Sequence, residues 1–201
     1  MWSQVLHDRE KRGLSTKGLV FLDIGSGIGN MVLASIVSHS RDGTLAEAHG
    51  LEVCPVLHGV MVQWLEEIKR HSPFVNYAVE VVKSRVMLAD FSVPDRSVDA
   101  LLGHCDVIFC NNYLFGECPG EQPSETSLLN RKLHDLLCRT VGTTTSIVTT
   151  RSLMMDGSRR DENSRLRIRA RAHVGKVVQH HSWQFDTRHV GWGGNLTGTI
   201  S

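Results

Sequence analysis

Leu19-Val20-Phe21-Leu22-Asp23-Ile24 runs directly into Gly25-Ser26-Gly27-Ile28-Gly29-Asn30, and the reading of the whole chain turns on that junction. The first six residues are a short, nearly continuous apolar run, the pattern of a strand covered on both faces in a parallel sheet. Three glycines at alternate positions then let the backbone turn and approach a ligand that side chains would hold off. Over 30–37 the glycines stop and the chain becomes Met-Val-Leu-Ala-Ser-Ile-Val, which predicts a buried helix starting where the loop ends. Strand, glycine loop and helix in succession make a ligand-binding junction. A nicotinamide-dinucleotide fingerprint would put its third glycine at residue 30, but Asn30 stands there and the glycine is Gly29.

Further along, 48–53 reads as a second strand leading into 56–70, where Val56, Leu57, Val60, Met61, Trp64, Leu65 and Ile68 recur at helical spacing. Pro73 marks the end of that helix or a kink. Segment 85–89 reads as a third strand, 98–102 as a short helix and 106–110 as a fourth strand; a turn-rich stretch follows through Pro123. Helical periodicity returns over 128–137, and 146–150 is a fifth strand. Segments 174–179 and 190–200 supply two more after an arginine-rich insert. Alternating strands and helices of this kind predict an α/β, Rossmann-like fold with a mostly parallel, seven-stranded sheet. We expect a helical lead-in over 1–18 and one domain over 19–201, since 201 residues with 41% apolar content suit a single core.

The bulk numbers exclude little else. A formal net charge of +1 favours neither an acidic nor a basic partner, so any polyanion contact must come from local clustering. Cys54, Cys105, Cys110, Cys118 and Cys138 form an odd set without a C-x-x-C pair, which fits free thiols in a reducing compartment. No apolar run is long enough to span a bilayer, and 1–12 is polar where a signal peptide would be hydrophobic, so no membrane association is expected.

Two acidic strand ends extend the reading of the loop. Glu52 closes the second strand, where a carboxylate can accept both hydroxyls of a ribose. Asp90 closes the third and is followed by Phe91, a pair suited to the amine and the face of an adenine. Taken singly, Glu52 also admits the reading of a solvated strand-end carboxylate and Phe91 that of ordinary core. Three successive strand ends carrying this chemistry point to adenosine recognition at the carboxyl edge of the sheet.

The spacing D-x-G-x-G-x-G over 23–29 resembles motif I of the S-adenosylmethionine-dependent methyltransferases. At the end of the fourth strand stands Val107-Ile108-Phe109-Cys110-Asn111-Asn112-Tyr113-Leu114-Phe115-Gly116. That run is similar to the V-I-F-x-N-N-x-x-F-G segment of the disruptor of telomeric silencing (Dot-one) family, the histone-lysine methyltransferases without a SET domain. Gly50-Leu51-Glu52 and Asp90-Phe91 fall in that family's order, so the likeness covers 19–115. Beyond it thins to Ser146-Ile147-Val148, Asn163-Ser164-Arg165 and Gly191-Trp192.

The resemblance implies a class I methyltransferase fold, S-adenosylmethionine as cofactor, a lysine in the globular core of histone H3 as substrate, the nucleosome as partner and a nuclear location. It implies that Asp23, Gly25, Ser26, Gly27, Gly29, Asn30, Glu52, Asp90 and Phe91 hold the cofactor. Asn111 would stand beside the methionyl end of the cofactor and the incoming amine, with Phe109 and Phe115 walling the lysine channel. The sequence departs from the family twice: no Y-G-E loop precedes motif I between Met1 and Lys17, as in a truncated lead-in, and Thr197-Gly198-Thr199-Ile200 lacks the family's tyrosine pair. Both departures bear on closure of the lysine channel.

Methyl transfer to an amine needs alignment and a dry channel more than a dedicated base. His104 and Asp106 therefore read as structural rather than as a proton relay. The candidate ligands His104, Cys105, Cys110, His180 and His181 lack zinc-site spacing, and no metal is expected. Segment 151–176 holds eight basic residues against three acidic ones. Within it Arg165, Arg167, Arg169 and Arg171 alternate with Leu166, Ile168, Ala170 and Ala172, putting four guanidiniums on one face of an extended strand. They read either as a solvated face or as a contact to nucleosomal DNA or an acidic histone surface. The rival functions are a class I methyltransferase of a small molecule or RNA, and a chromatin module that keeps the cofactor pocket with weakened catalysis.

Overall fold

The computed structural model describes residues 1–71, 78, 82–112 and 124–150. Its elements, in chain order, are α1 (Trp2–Lys11), β1 (Leu19–Ile24), α2 (Asn30–His39), β2 (Leu45–Glu52) and α3 (Pro55–His71). They continue with β3 (Lys83–Leu88), α4 (Arg96–His104), β4 (Val107–Cys110), α5 (Ser124–Thr140) and β5 (Ser146–Thr149). Among the described residues every strand pairing is parallel, and the order is β3-β2-β1-β4-β5. This bears out the α/β, parallel reading; five strands lie among the described residues, while the two expected at 174–179 and 190–200, like Pro73 and the turn-rich stretch after 112, fall outside them.

Alternation along β1 builds two cores. Leu19 and Phe21 face one side with Trp2, Val32, Ile36, Met61 and Phe109; Val20, Leu22 and Ile24 face the other with Val98, Leu102, Ile108, Leu133 and Leu137. All six residues of β1 are buried, which is why five of them are apolar and Asp23 stands out as its one polar residue. β2, β3, α4 and α5 each start two to four residues earlier than the apolar pattern suggests. β2 begins at Leu45, which is buried in the first core and pairs with Leu19, and its first half also carries Glu47, hydrogen-bonded to His49 and Lys83. α4 begins at Arg96 because the Asp95 carboxylate caps it, accepting the Ser97 N–H at 2.7 Å.

α1 is tied to the sheet by polar contacts that periodicity does not reveal. Trp2 Nε1 donates to Ser35 Oγ at 2.9 Å, and its ring lies 5.4 Å from that of Phe21. Arg9, only 2% exposed, donates to the carbonyls of Ser15, Asp106 and Thr144 and to the Asp106 carboxylate at 3.1 Å. The other Asp106 oxygen accepts the Val20 N–H, so one carboxylate links α1, β1 and the start of β4. Asp106 thus has a structural job at the amino edge of the sheet.

Candidate functional site

Because the strands are parallel, their carboxyl ends share one edge, and β1 lies between β2 and β4 where the chain order reverses. An open α/β sheet forms its ligand crevice at such a point. The loop after β1, Glu52 of β2, Asp90 after β3 and Asn111 after β4 all emerge there.

The loop's glycines divide the work. Gly25, Gly27 and Gly29 have φ of 73°, 56° and 84°, in the left-handed region. A Cβ at Gly25 or Gly27 would meet nothing within 4 Å, whereas one at Gly29 would lie 2.7 Å from the Met61 side chain. Gly50 is crowded in the same way by Met61 and Ser26, at 2.8 Å each. Gly29 and Gly50 therefore let α3 pack under the loop, and Gly25 and Gly27 keep backbone open above it. The N–H groups of Gly25 and Ser26 donate to the Leu51 carbonyl at 2.8 and 3.0 Å, fixing the loop to β2. Asn30 opens α2 behind a Gly29 cap.

Glu52 does more than the sequence assigns it. One carboxylate oxygen accepts the Gly27 N–H at 2.7 Å and the other the Cys54 N–H at 2.8 Å, so this buried side chain joins the loops that follow β1 and β2. Each oxygen keeps a lone pair for a further donor such as a ribose hydroxyl. Asp23 is 3% exposed, with no side-chain hydrogen bond among the described residues. Burial, then the charge of Glu52, pushes its carboxyl well above the ordinary carboxylate value. Burial likewise pushes the Cys105 thiol up to about 12 and raises Cys110 further, with Asp23 contributing, so neither thiol serves as a base or nucleophile near neutral pH.

Asp90 closes a tight turn, its carboxylate accepting the Ser92 N–H at 2.7 Å, while the Ala89 N–H donates to the Glu52 carbonyl at 2.9 Å. Phe91 is half-buried and packs against the second core. Val53, 59% exposed, and Leu88, 50% exposed, leave an apolar rim beside Glu52, to which Leu88 is the register partner. Phe109 is 6% exposed within the first core, Asn111 is exposed, and Asn112 is fully buried. Phe115 and the four arginines, Arg165, Arg167, Arg169 and Arg171, lie outside the described residues. Sequence reading missed Met61, whose place under Gly29 looks from its spacing like any core position, and Val53, for which adjacency to Glu52 was the available signal. A cavity of about 380 Å³, between α1 and Lys17, Asp42 and Thr44, lies away from these strand ends.

A parallel sheet ordered β3-β2-β1-β4-β5, with a left-handed glycine loop after its central strand and acidic residues closing the next two, is the fold of the class I methyltransferases. The rRNA methyltransferase aviRa from Streptomyces viridochromogenes shares it, with a TM-score of 0.52 and 15% identity over 73% of this chain and 70% of that one. Within this class the chain belongs to the Histone methylation protein DOT1 family, whose model matches residues 4–196. It is 26% identical over 98 residues to the histone-lysine N-methyltransferase, H3 lysine-79 specific, of Eremothecium gossypii. That match covers 49% of this chain and spans 16% of the relative's length. The resemblance read from the glycine loop and the paired asparagines is thus borne out at the level of family.

Proposed function

We propose that this chain is the catalytic domain of a nuclear, S-adenosylmethionine-dependent histone-lysine N-methyltransferase that modifies a lysine in the globular core of histone H3 within nucleosomes. The observation that carries the proposal is the family match over 4–196 on a chain that sets Asp23, Glu52, Asp90 and Asn111 along one sheet edge. When bound, the cofactor supplies a methyl group on a sulfonium.

The residues present fit that group. Asp23 offers a buried carboxyl with no side-chain hydrogen bond among the described residues, which a ligand ammonium would hold ionised. Glu52 offers acceptor capacity for ribose hydroxyls, and the open space over Gly25 and Gly27 admits the methionyl end close to the loop backbone. Ser26, Gly29 and Asn30 complete the loop; Asp90 and Phe91 flank the adenine. Asn111 orients the amine, and Phe109 with Phe115 excludes water from the lysine channel. An amine whose pKa in water is about 10.4 must arrive neutral, and desolvation in an apolar channel favours that form without a dedicated base.

The test is to incubate the chain with labelled S-adenosylmethionine and, in parallel, nucleosomes, free histones, RNA and a metabolite extract. Label on histone H3 in nucleosomes is the expected result. Label on RNA or a metabolite instead overturns the substrate, and cofactor binding without transfer to anything leaves a chromatin module with a retained pocket.

A further inference from the structure

The strongest unassigned feature is a hydrogen-bonded chain behind Asn111. Cys110 of β4 pairs in register with Thr149 of β5, which brings the next residues, Asn111 and Thr150, side by side at the carboxyl edge. The Thr150 Oγ lies 2.9 Å from the Asn111 side-chain oxygen and 3.1 Å from that of Asn112. Asn112, fully buried, donates from its side-chain nitrogen to the Asn130 oxygen of α5 at 2.8 Å.

A threonine hydroxyl has one proton, so it serves these two carbonyl oxygens as a three-centre donor. Both amides must then approach a single hydrogen, which restricts their side-chain torsions together. Asn130 holds the far end of the Asn112 amide, so the arrangement cannot turn as a unit without breaking that part-buried bond. An exposed asparagine ordinarily samples several rotamers, and ordering it at the moment of reaction costs entropy. Here that ordering is built into the fold.

Resting on the function proposed above, we infer that Thr150, backed by Asn112 and Asn130, is a positioning residue that holds the Asn111 amide in the orientation methyl transfer requires. Thr150 touches neither amine nor cofactor in this role; it acts through Asn111. Alignment held beforehand lowers the barrier without tightening ground-state binding, so its loss belongs in turnover.

Two readouts test this on the whole chain. Thr150→Val keeps shape and removes the hydroxyl, and Thr150→Ser restores it. In Thr150→Val the maximal methyl-transfer rate on nucleosomes should fall roughly five- to twentyfold, the equivalent of one lost hydrogen bond, with cofactor affinity within roughly twofold of the parent. Thr150→Ser should recover most of the rate, and Asn130→Ala should lower it in the same sense. Independently of activity, the side-chain amide resonances of Asn111 and Asn112 in nitrogen-15-labelled protein should shift in Thr150→Val and return in Thr150→Ser. Parent-like turnover in Thr150→Val, an equal loss of cofactor affinity, or unmoved amide resonances each overturn the inference while leaving the proposed function standing. A parent chain that transfers methyl to no substrate, with the amide shifts as expected, overturns the proposed function and the positioning role of Thr150 with it, leaving only the hydrogen bonds.

Discussion

In the proposed cofactor site, Asp23 sets stability against binding. Its carboxyl is buried beside Glu52, and both burial and that neighbour favour the protonated form, so the folded chain binds this proton more tightly than the unfolded chain. Below the ordinary value of 3.8 both states hold the proton and nothing is lost. As pH rises past it, the unfolded chain ionises first and stability drains away until the raised value in the folded state is passed. Asp23→Asn should therefore raise the melting temperature of the cofactor-free chain at neutral pH, lose that advantage near pH 3.8, and weaken cofactor binding. A melting difference that is the same at both pH values would remove the electrostatic account. Glu52 makes a complementary case. A glutamine there presents its NH2 group to one of two backbone donors, Gly27 or Cys54, so Glu52→Gln should cost roughly 1–3 kcal/mol of stability and lower cofactor affinity. Denaturant unfolding that matches the parent would show the two N–H contacts to be dispensable. At this scale the sequence is informative where chemistry demands a residue type: Gly27 and Glu52 stand out because nothing apolar could replace them. Thr150 and Asn130 do not, since the meaning of Thr150 depends on a register between β4 and β5, and that of Asn130 on the packing of α5 beside Asn112, which no local pattern encodes.

At the scale of elements, periodicity identified β1, α2 and α3 closely, because their apolar residues face cores on one side or both. It shortened β2, β3, α4 and α5 at their starts; in α4 the first turn is fixed by the Asp95 cap rather than by burial of apolar area. The docking of α1 was the least legible, for its anchor is a buried arginine. Arg9 saturates three carbonyls and Asp106, joining α1 to β1, β4 and the turn before β5. Arg9→Ala would strip those acceptors of a donor at the amino edge of the sheet. Since Asp106 remains about one-third exposed and water can reach it, we expect a loss of about 2–3 kcal/mol rather than the larger cost of a wholly buried pair. Urea unfolding of the cofactor-free chain measures it. Cofactor affinity should hold at temperatures where the variant is folded, because the anchored edge is opposite the glycine loop; a matching drop in affinity would couple α1 to the site.

For the whole molecule the proposed function raises the question of how a lysine on a folded surface would reach the crevice. A histone tail enters an active site as a flexible peptide, but a core lysine is presented only by the assembled nucleosome, so an enzyme for it needs docking contacts away from the pocket. The alternating Arg165, Arg167, Arg169 and Arg171 offer four positive charges at a spacing suited to phosphates or to an acidic histone face. If they dock the enzyme, nucleosomes should be methylated far better than free histone H3 or a peptide from it. Changing all four to alanine should weaken nucleosome binding and flatten its dependence on salt, because each lost phosphate contact removes close to one released counterion from the slope. Affinity for S-adenosylmethionine should stay unchanged, since none of the four belongs to the proposed cofactor site. Binding titrations at several salt concentrations, run beside methyl-transfer assays, separate the outcomes. A quadruple variant that binds and methylates nucleosomes like the parent makes the arginines a solvated face and moves docking elsewhere, and a free peptide that outperforms the nucleosome makes the core-lysine assignment wrong.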